Sequence, residues 1–242
     1  MSRLYLVRHG QAGTRKAYDS LSDLGRRQAR LLGEYFVAEG IQFAAAYRGV
    51  MRRQEQTGAE VKAAYDDAGI PFPEIELEHR WNEFDLDHIY RSFAPKMCAE
   101  DPEFKRAYDE MVAEARAAEQ EHGAGVNRRW LPCDMKIVEA WLHERHPYDG
   151  ETWKHFRERV TASRTDLARA KRDADIVVFT SATPIGIWTA LTMDVADHRA
   201  MKLAGVVQNA SFTVIRLHDE QLRLHTFNAV PHLTAQGLRT YR

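Results

Sequence analysis

Residues 3–12, RLYLVRHGQA, decide how the chain is read. Arg3 to Val7 is an apolar run short enough for a buried strand, and it stops at a polar turn, Arg8, His9, Gly10, Gln11. Ser22 then offers a cap, and Leu24, Leu31, Leu32, Tyr35 and Phe36 recur on one helical face until Gly40 ends the run. The chain therefore opens strand, loop, helix. Phe43 to Tyr47 repeats the unit, leading through Gly49 into a helix that carries Arg53, Gln56 and Thr57 before Pro71 and Pro73 close it. Two such units predict parallel strands joined by crossover helices.

Further along, Asp175 to Phe179 is another apolar strand, followed by Thr180, Ser181, Ala182, Thr183, Pro184 and a helix. Ser211 to Leu217 and Leu222 to Phe227 read as a closing hairpin across 218–221. Between these parts the pattern changes. From about Leu86 to His146 it is mostly helical, with an Asp101, Pro102 start, and it holds nine basic and twelve acidic residues. We read residues 1–242 as one α/β domain, a three-layer α/β/α sandwich with a mainly parallel sheet, carrying a helical insert at about 86–146 over the strand ends. Gly150 precedes a helix expected from Glu151 to about Arg172.

Composition narrows the function classes. The 242 residues, 44% hydrophobic and 29% charged, suit an ordinary globular chain able to bury a sizeable core. With 34 basic against 35 acidic residues the net charge is −1, which gives no footprint for a nucleic acid backbone or an anionic membrane, so any anion must be gripped locally. Cys98 and Cys133 form neither a disulfide framework nor a metal-spaced pair, and the run from Leu4 to Val7 is too short for a signal peptide. A cytoplasmic protein without cofactor or membrane partner is the expectation. A homodimer stays open.

Ligands in open α/β sheets sit at the carboxyl ends of strands, which is where Arg8 to Gln11 falls. A neutral imidazole such as His9 can attack phosphorus. It needs guanidinium groups on the nonbridging oxygens, for which Arg8 and Arg53 are available, and an acid for the leaving oxygen. Glu83 is the candidate acid, since Trp81 and Phe84 beside it would favour its protonated form. Each has a plainer alternative: a hydrogen-bonded surface histidine for His9, and a surface carboxylate paired with Arg80 for Glu83.

LVRHGQA at Leu6 to Ala12 resembles the signature of the histidine phosphatase superfamily, the phosphoglycerate mutase-like fold. SDLGRRQARLLG at Ser22 to Gly33, RRQEQT at Arg52 to Thr57, GETWKHFRERV at Gly150 to Val160, and NASF at Asn209 to Phe212 with FNAVPHL at Phe227 to Leu233 are similar to later family segments, in the family's order. The resemblance implies that His9 is the phosphorylated nucleophile, that Arg8, Arg53 and Gln11 bind phosphate, and that Glu83 donates the proton. It also exposes a departure. The family's second histidine aligns with Ser181, followed by Ala182 and Thr183 in place of two glycines, as in a branch that lacks this histidine. Ser181 and Ala182 would then bind phosphate through a hydroxyl and backbone amides at the helix start. Losing one donor to a transition-state oxyanion costs about 3–4 kcal/mol, so weakened phosphatase activity on a small phosphorylated substrate is expected. Ala182 and Thr183 would resist any positive φ a glycine accepts there.

The alternative is a catalytically silent module that binds inorganic phosphate or a phosphorylated ligand; a phosphoglycerate mutase, which must retain phosphate tightly, fits less well. No metal is implied, because His143 and His146 lack the i, i+4 spacing of HExxH. His232 is expected to pack under the site. The insert is expected to be a solvated helical flap with Tyr90, Phe93, Trp130 and Trp141 in its core rather than a basic binding patch, although Arg128, Arg129 and Trp130 could still touch a substrate.

Overall fold

Ser2–Arg8 forms the first strand, β1, and everything that positions the site is built around it. From Leu4 to Arg8 every residue is buried, so this strand lies inside a sheet rather than at its edge. The computed structural model describes residues 2–13, 19–120, 132–169, 173–196, 198–218 and 221–241. The strands β2 (Phe43–Arg48), β3 (Ile75–Leu77), β4 (Asp175–Thr180), β5 (Phe212–His218) and β6 (Gln221–Ala229) complete a six-stranded sheet in the order β3-β2-β4-β1-β5-β6. β3, β2, β4 and β1 run parallel, while β5 and β6 form the expected antiparallel hairpin. β3 was not expected: its three residues between Pro73 and Glu78 are too few to show a period.

One face of the sheet is covered by α1 (Asp23–Ala38) and α2 (Arg52–Asp67). Tyr5, Val7, Phe43, Ala46, Val177, Phe179, Phe212 and Val214 meet Leu32, Phe36, Val61 and Tyr65 there in one apolar cluster. α7 (Ala182–Met193) packs against β1, β5 and β6 and is followed by α8 (His198–Val206). Ser22 caps α1 as expected, its Oγ accepting from Gly25 N at 3.0 Å, and Gly40 turns the chain beyond it with φ +66°. The buried stripe of α1 is offset from the leucines that suggested it. Gly25, Gln28, Ala29, Leu32, Gly33 and Phe36 are buried, and Leu24 and Leu31 only partly. The reason is close approach: a Cβ on Gly10 would lie 2.3 Å from Gly25 O, so the loop after β1 sits directly on the first turn of α1.

Two compact units divide the chain, Met1–Glu83 with Arg159–Arg242, and Phe84–Glu158. The second holds α3 (Leu86–Glu100), α4 (Pro102–Gln120), α5 (Pro132–Leu142) and the start of α6 (Trp153–Arg169). α6 begins two residues later than expected, with Thr152 Oγ1 accepting from His155 N at 3.3 Å. Asp101 Oδ1 caps α4 through Glu103 N and Phe104 N, as its Asp-Pro start predicts. Phe84, Trp141, Trp153 and Phe156 form an aromatic core with Phe84 stacked on Trp141 at 4.8 Å, and Phe93 is buried nearby in the same unit. Arg128, Arg129 and Trp130 lie outside the described residues.

Candidate active site

The chain leaves β1 with its backbone held from three sides. Arg8 N donates to Ser211 O at 3.0 Å and His9 N to Thr180 O at 2.9 Å, while His9 O accepts from Asn209 Nδ2 and Ala210 N, each at 3.2 Å. Gly10 N then donates to Thr57 Oγ1 of α2 at 3.1 Å. A side chain at position 9 therefore emerges from a rigid turn, which is what a reacting group needs.

The His9 ring is only 5% exposed, and its two partners fix the tautomer. Gly10 O, 2.8 Å from Nδ1, can only accept, so Nδ1 carries the proton. Arg53 Nε, 3.1 Å from Nε2, can only donate, so Nε2 presents a lone pair. Burial, then the charges of Arg53 and Arg8, hold the imidazole well below its usual pKa, against a smaller opposing push from the Gly10 carbonyl. His9 is thus neutral throughout the physiological range.

Arg53 and Arg8 are 7% and 8% exposed. Arg8 Nη1 donates to the Val207 carbonyl. Arg53 reaches back from the first turn of α2, and its Nη1 donates to Asp19 Oδ1 at 3.1 Å. The other Asp19 oxygen accepts from Arg52 N at 3.2 Å, supplying the N-terminus of α2 with the side-chain cap that Met51 lacks. Arg8, His9 and Arg53 are therefore one cluster of two cations around a neutral ring.

The remaining expected residues are held differently. Gln11 is buried against α1: its N donates to Gln28 Oε1 at 2.8 Å, and its Oε1 accepts from Ser22 Oγ at 2.9 Å. Glu83 follows the turn His79–Trp81, and its Oε2 accepts from Thr183 N at 3.1 Å, the second residue of α7. Its neighbour Trp81 stacks on Trp188 with ring centroids 5.6 Å apart. Arg80 donates to Glu78 Oε2 at 2.5 Å.

Ser181 stands at the N-cap of α7 but makes no capping bond; its Oγ accepts from Gln54 Nε2 at 2.9 Å. Ala182 and Thr183 are ordinary helical residues without positive φ, so the strain expected from losing glycines there does not arise. A second departure from expectation follows. Two of the groups proposed to grip phosphate at this helix start, the Ser181 oxygen and the Thr183 amide, already have protein partners.

Sequence reasoning gave no role at the site to Asp19, Gln28, Gln54, Thr57 or Asn209. A signal existed for Gln54 and Thr57, which fall on the i, i+3, i+4, i+7 stripe that continues through Gly58 and Val61 and is buried in α2. Polar residues on a buried stripe are hydrogen-bonded to something specific. His232 is buried, stacked on Phe212 and tilted against Tyr35, and burial lowers its pKa to about 4. His143 is exposed beyond the end of α5, while His146 packs on Phe93 with ring centroids 5.5 Å apart. No cluster of three or more His, Cys, Asp or Glu suited to a metal occurs among the described residues, and no described helix is long and apolar enough to cross a membrane. Cys98 and Cys133 form no disulfide among the described residues.

A mainly parallel α/β sheet with an arginine-flanked histidine after its first strand defines the phosphoglycerate mutase-like class. The chain belongs to the histidine phosphatase superfamily (branch 1), whose sequence profile it matches over residues 4–145 and 131–230. It is 28% identical over 154 residues to 2,3-bisphosphoglycerate-dependent phosphoglycerate mutases of Streptococcus agalactiae, an alignment covering 57% of this chain and 64% of theirs. The fold is that of Bacillus stearothermophilus YhfR (16% identity, TM-score 0.64, 96% of this chain and 100% of that one). It is shared by an Entamoeba histolytica phosphoserine phosphatase mutant in complex with phosphoserine (16% identity, TM-score 0.58, 96% and 100%). A mycobacterial glucosyl-3-phosphoglycerate phosphatase with inorganic phosphate is similar too (19% identity, TM-score 0.59, 96% and 99%).

Proposed function

We propose that the protein is a phosphomonoesterase that works through a phosphohistidine at His9, slowed because Ser181 stands where the family has a second histidine. The observation that carries this reading is the state of the His9 ring: neutral, with Nδ1 anchored on Gly10 O and the Nε2 lone pair directed at Arg53. A buried histidine kept only for packing has no need of two guanidinium groups that suppress its protonation.

In the proposed reaction the nonbridging oxygens of a phosphomonoester take over the guanidinium of Arg53 and engage Arg8. The Nε2 lone pair attacks phosphorus, the P–O ester bond breaks, and its electron pair leaves on the alcohol oxygen, which takes a proton from the Glu83 carboxyl. Water then attacks the phosphohistidine, gives its proton to the Glu83 carboxylate, and the P–N bond breaks to release orthophosphate. Glu83 is returned to its starting form and no cofactor is consumed. Two of the structural relatives are named as phosphatases, of phosphoserine and of glucosyl-3-phosphoglycerate, which supports small phosphorylated substrates for this chain. The mutase relatives match over only part of their length, and a phosphoryl return to a second hydroxyl asks for a tighter grip than one flank of cations supplies.

The test is phosphate release from a panel of small phosphomonoesters by the wild type and by His9→Ala. Turnover that is lost in the variant supports the reading. Absence of turnover together with binding of inorganic phosphate would assign the chain to the silent binding module instead.

A further inference from the structure

Neighbouring residues of one helical turn reach two different parts of the site: Arg53 goes to the histidine, and Gln54 goes to Ser181. Gln54 is fully buried, and so, to within 1%, is Ser181. The orientation of the Gln54 amide is fixed by a second acceptor, because Nε2 also donates to Trp81 O at 3.2 Å. Trp81 O in turn accepts from Thr180 Oγ1 at 2.6 Å. Among the described residues Gln54 Oε1 has no hydrogen-bond partner, and it lies against Gly49, where a Cβ would come within 2.1 Å of it.

A buried carboxamide that leaves its own oxygen unsatisfied gives up free energy to present its N–H groups where they are. The consequence falls on Ser181. A hydroxyl has one proton and two lone pairs, and the amide of Gln54 occupies one of those lone pairs. The bond it receives holds the oxygen in place and polarises the O–H, which makes the hydroxyl a better donor. Among the described residues no acceptor takes the Ser181 proton. Ser181 lies one residue after Thr180, whose carbonyl holds His9 N, and two before Thr183, whose amide holds Glu83.

We propose that Gln54 is a positioning residue: it sets the Ser181 hydroxyl as a neutral hydrogen-bond donor to the phosphoryl group that His9 receives, in place of a cationic side chain. The proposal deepens the phosphatase reading and rests on it. Its content is that the pair acts as a unit, so removing either member removes the same contribution.

The variant that isolates it is Gln54→Glu, which keeps shape and volume but, when ionised, turns an N–H donor into an acceptor and draws the Ser181 proton toward itself. A buried carboxyl titrates above the usual range, so acid restores a donor at this position. The charged groups nearby are Arg53 on the same turn, Arg48 at the end of β2 with Glu55, Arg159 on the carbonyls of the turn that bears Trp81, Glu83 on Thr183 and the His9 ring beyond Thr180; wild type and variant share them, so a change in their ratio with pH reports the introduced carboxyl.

Relative to wild type, kcat/KM of Gln54→Glu should be lower by about tenfold near pH 8 and recover as pH falls toward about 5.5. Ser181→Ala, a smaller change that serves should the first variant unfold, should cost about tenfold at every pH, and adding Gln54→Glu to it should cost little more. Equal losses from Gln54→Glu with and without the Ser181 hydroxyl, or a ratio that ignores pH, would overturn the proposal. The same four proteins titrated with inorganic phosphate separate it from the reading beneath it. Coupled losses of phosphate affinity in a protein that forms no phosphoenzyme would sink the phosphatase reading and keep the positioning role. Uncoupled losses in an active enzyme would do the reverse.

Discussion

β1 and β4 are parallel neighbours in register, Arg8 beside Thr180, and they end at the same edge of the sheet in opposite ways. β1 ends in charge: Arg8, then His9 with Arg53 upon it. β4 ends in neutral groups that the protein itself engages, with the Ser181 oxygen held by Gln54 and the Thr183 amide held by Glu83. The difference teaches where affinity and rate must come from. Guanidinium groups confined to buried positions interact with an anion far more strongly than a hydroxyl does, so in the proposed reaction the β1 side carries the anion grip and the β4 side refines it.

The largest effect is expected from removing charge on the β1 side. Arg53→Ala should lower kcat/KM by about a hundredfold to a thousandfold, and the His9 titration followed by imidazole NMR should move upward, since Arg53 is the larger of the two charges holding it down. An unchanged His9 titration would mean that the cluster does not act on the ring. Next in size is an attempt to make the two strand ends alike. Ser181→His combined with Gln54→Ala, which makes room for the ring, should raise kcat by about ten- to a hundredfold if the missing cation limits the rate. No gain, in a variant whose thermal unfolding is unchanged, would show that the neutral end is not the bottleneck.

The smallest effect concerns stability and separates the site from the packing beneath it. His232 titrates at about 4 in the fold against 6.5 when free, so the unfolded chain binds the proton first as pH falls. The stability this residue contributes is complete above about pH 6.5 and is lost between there and about pH 4, by about 3 kcal/mol. His9, lowered in the same direction, adds to the loss. His232→Phe, which keeps a ring against Tyr35 and Phe212, should flatten that acid limb in urea titrations while leaving phosphate affinity unchanged. A limb as steep as wild type would place the acid sensitivity elsewhere.

Much of this was legible in the sequence, for identifiable reasons. The parallel strands and their helices announce themselves through apolar runs and caps, and Arg8 at a strand end, His9 in the loop after it and Arg53 in a helix's first turn stand where such a fold puts ligands. The hidden part is the polar packing. Gln54, Gln28 and Asn209 are separated from their partners by 127, 210 and 200 residues, and no period links them. Ser181 shows the limit best. Its position could be read as a phosphate contact, but that its oxygen accepts from α2, which decides what its proton can do, depends on a tertiary contact. The offset stripe of α1 has the same origin, because the approach of Gly10 to Gly25 that leaves Leu24 and Leu31 only partly buried is itself a tertiary contact.

The central claim is that the neutral, arginine-flanked His9 becomes phosphorylated. Intact mass spectrometry of the protein quenched during turnover of a phosphomonoester tests it directly. The account predicts one added phosphoryl group that survives base, is lost in acid and is absent from His9→Ala. An adduct that persists in acid, or one that remains in His9→Ala, would contradict it.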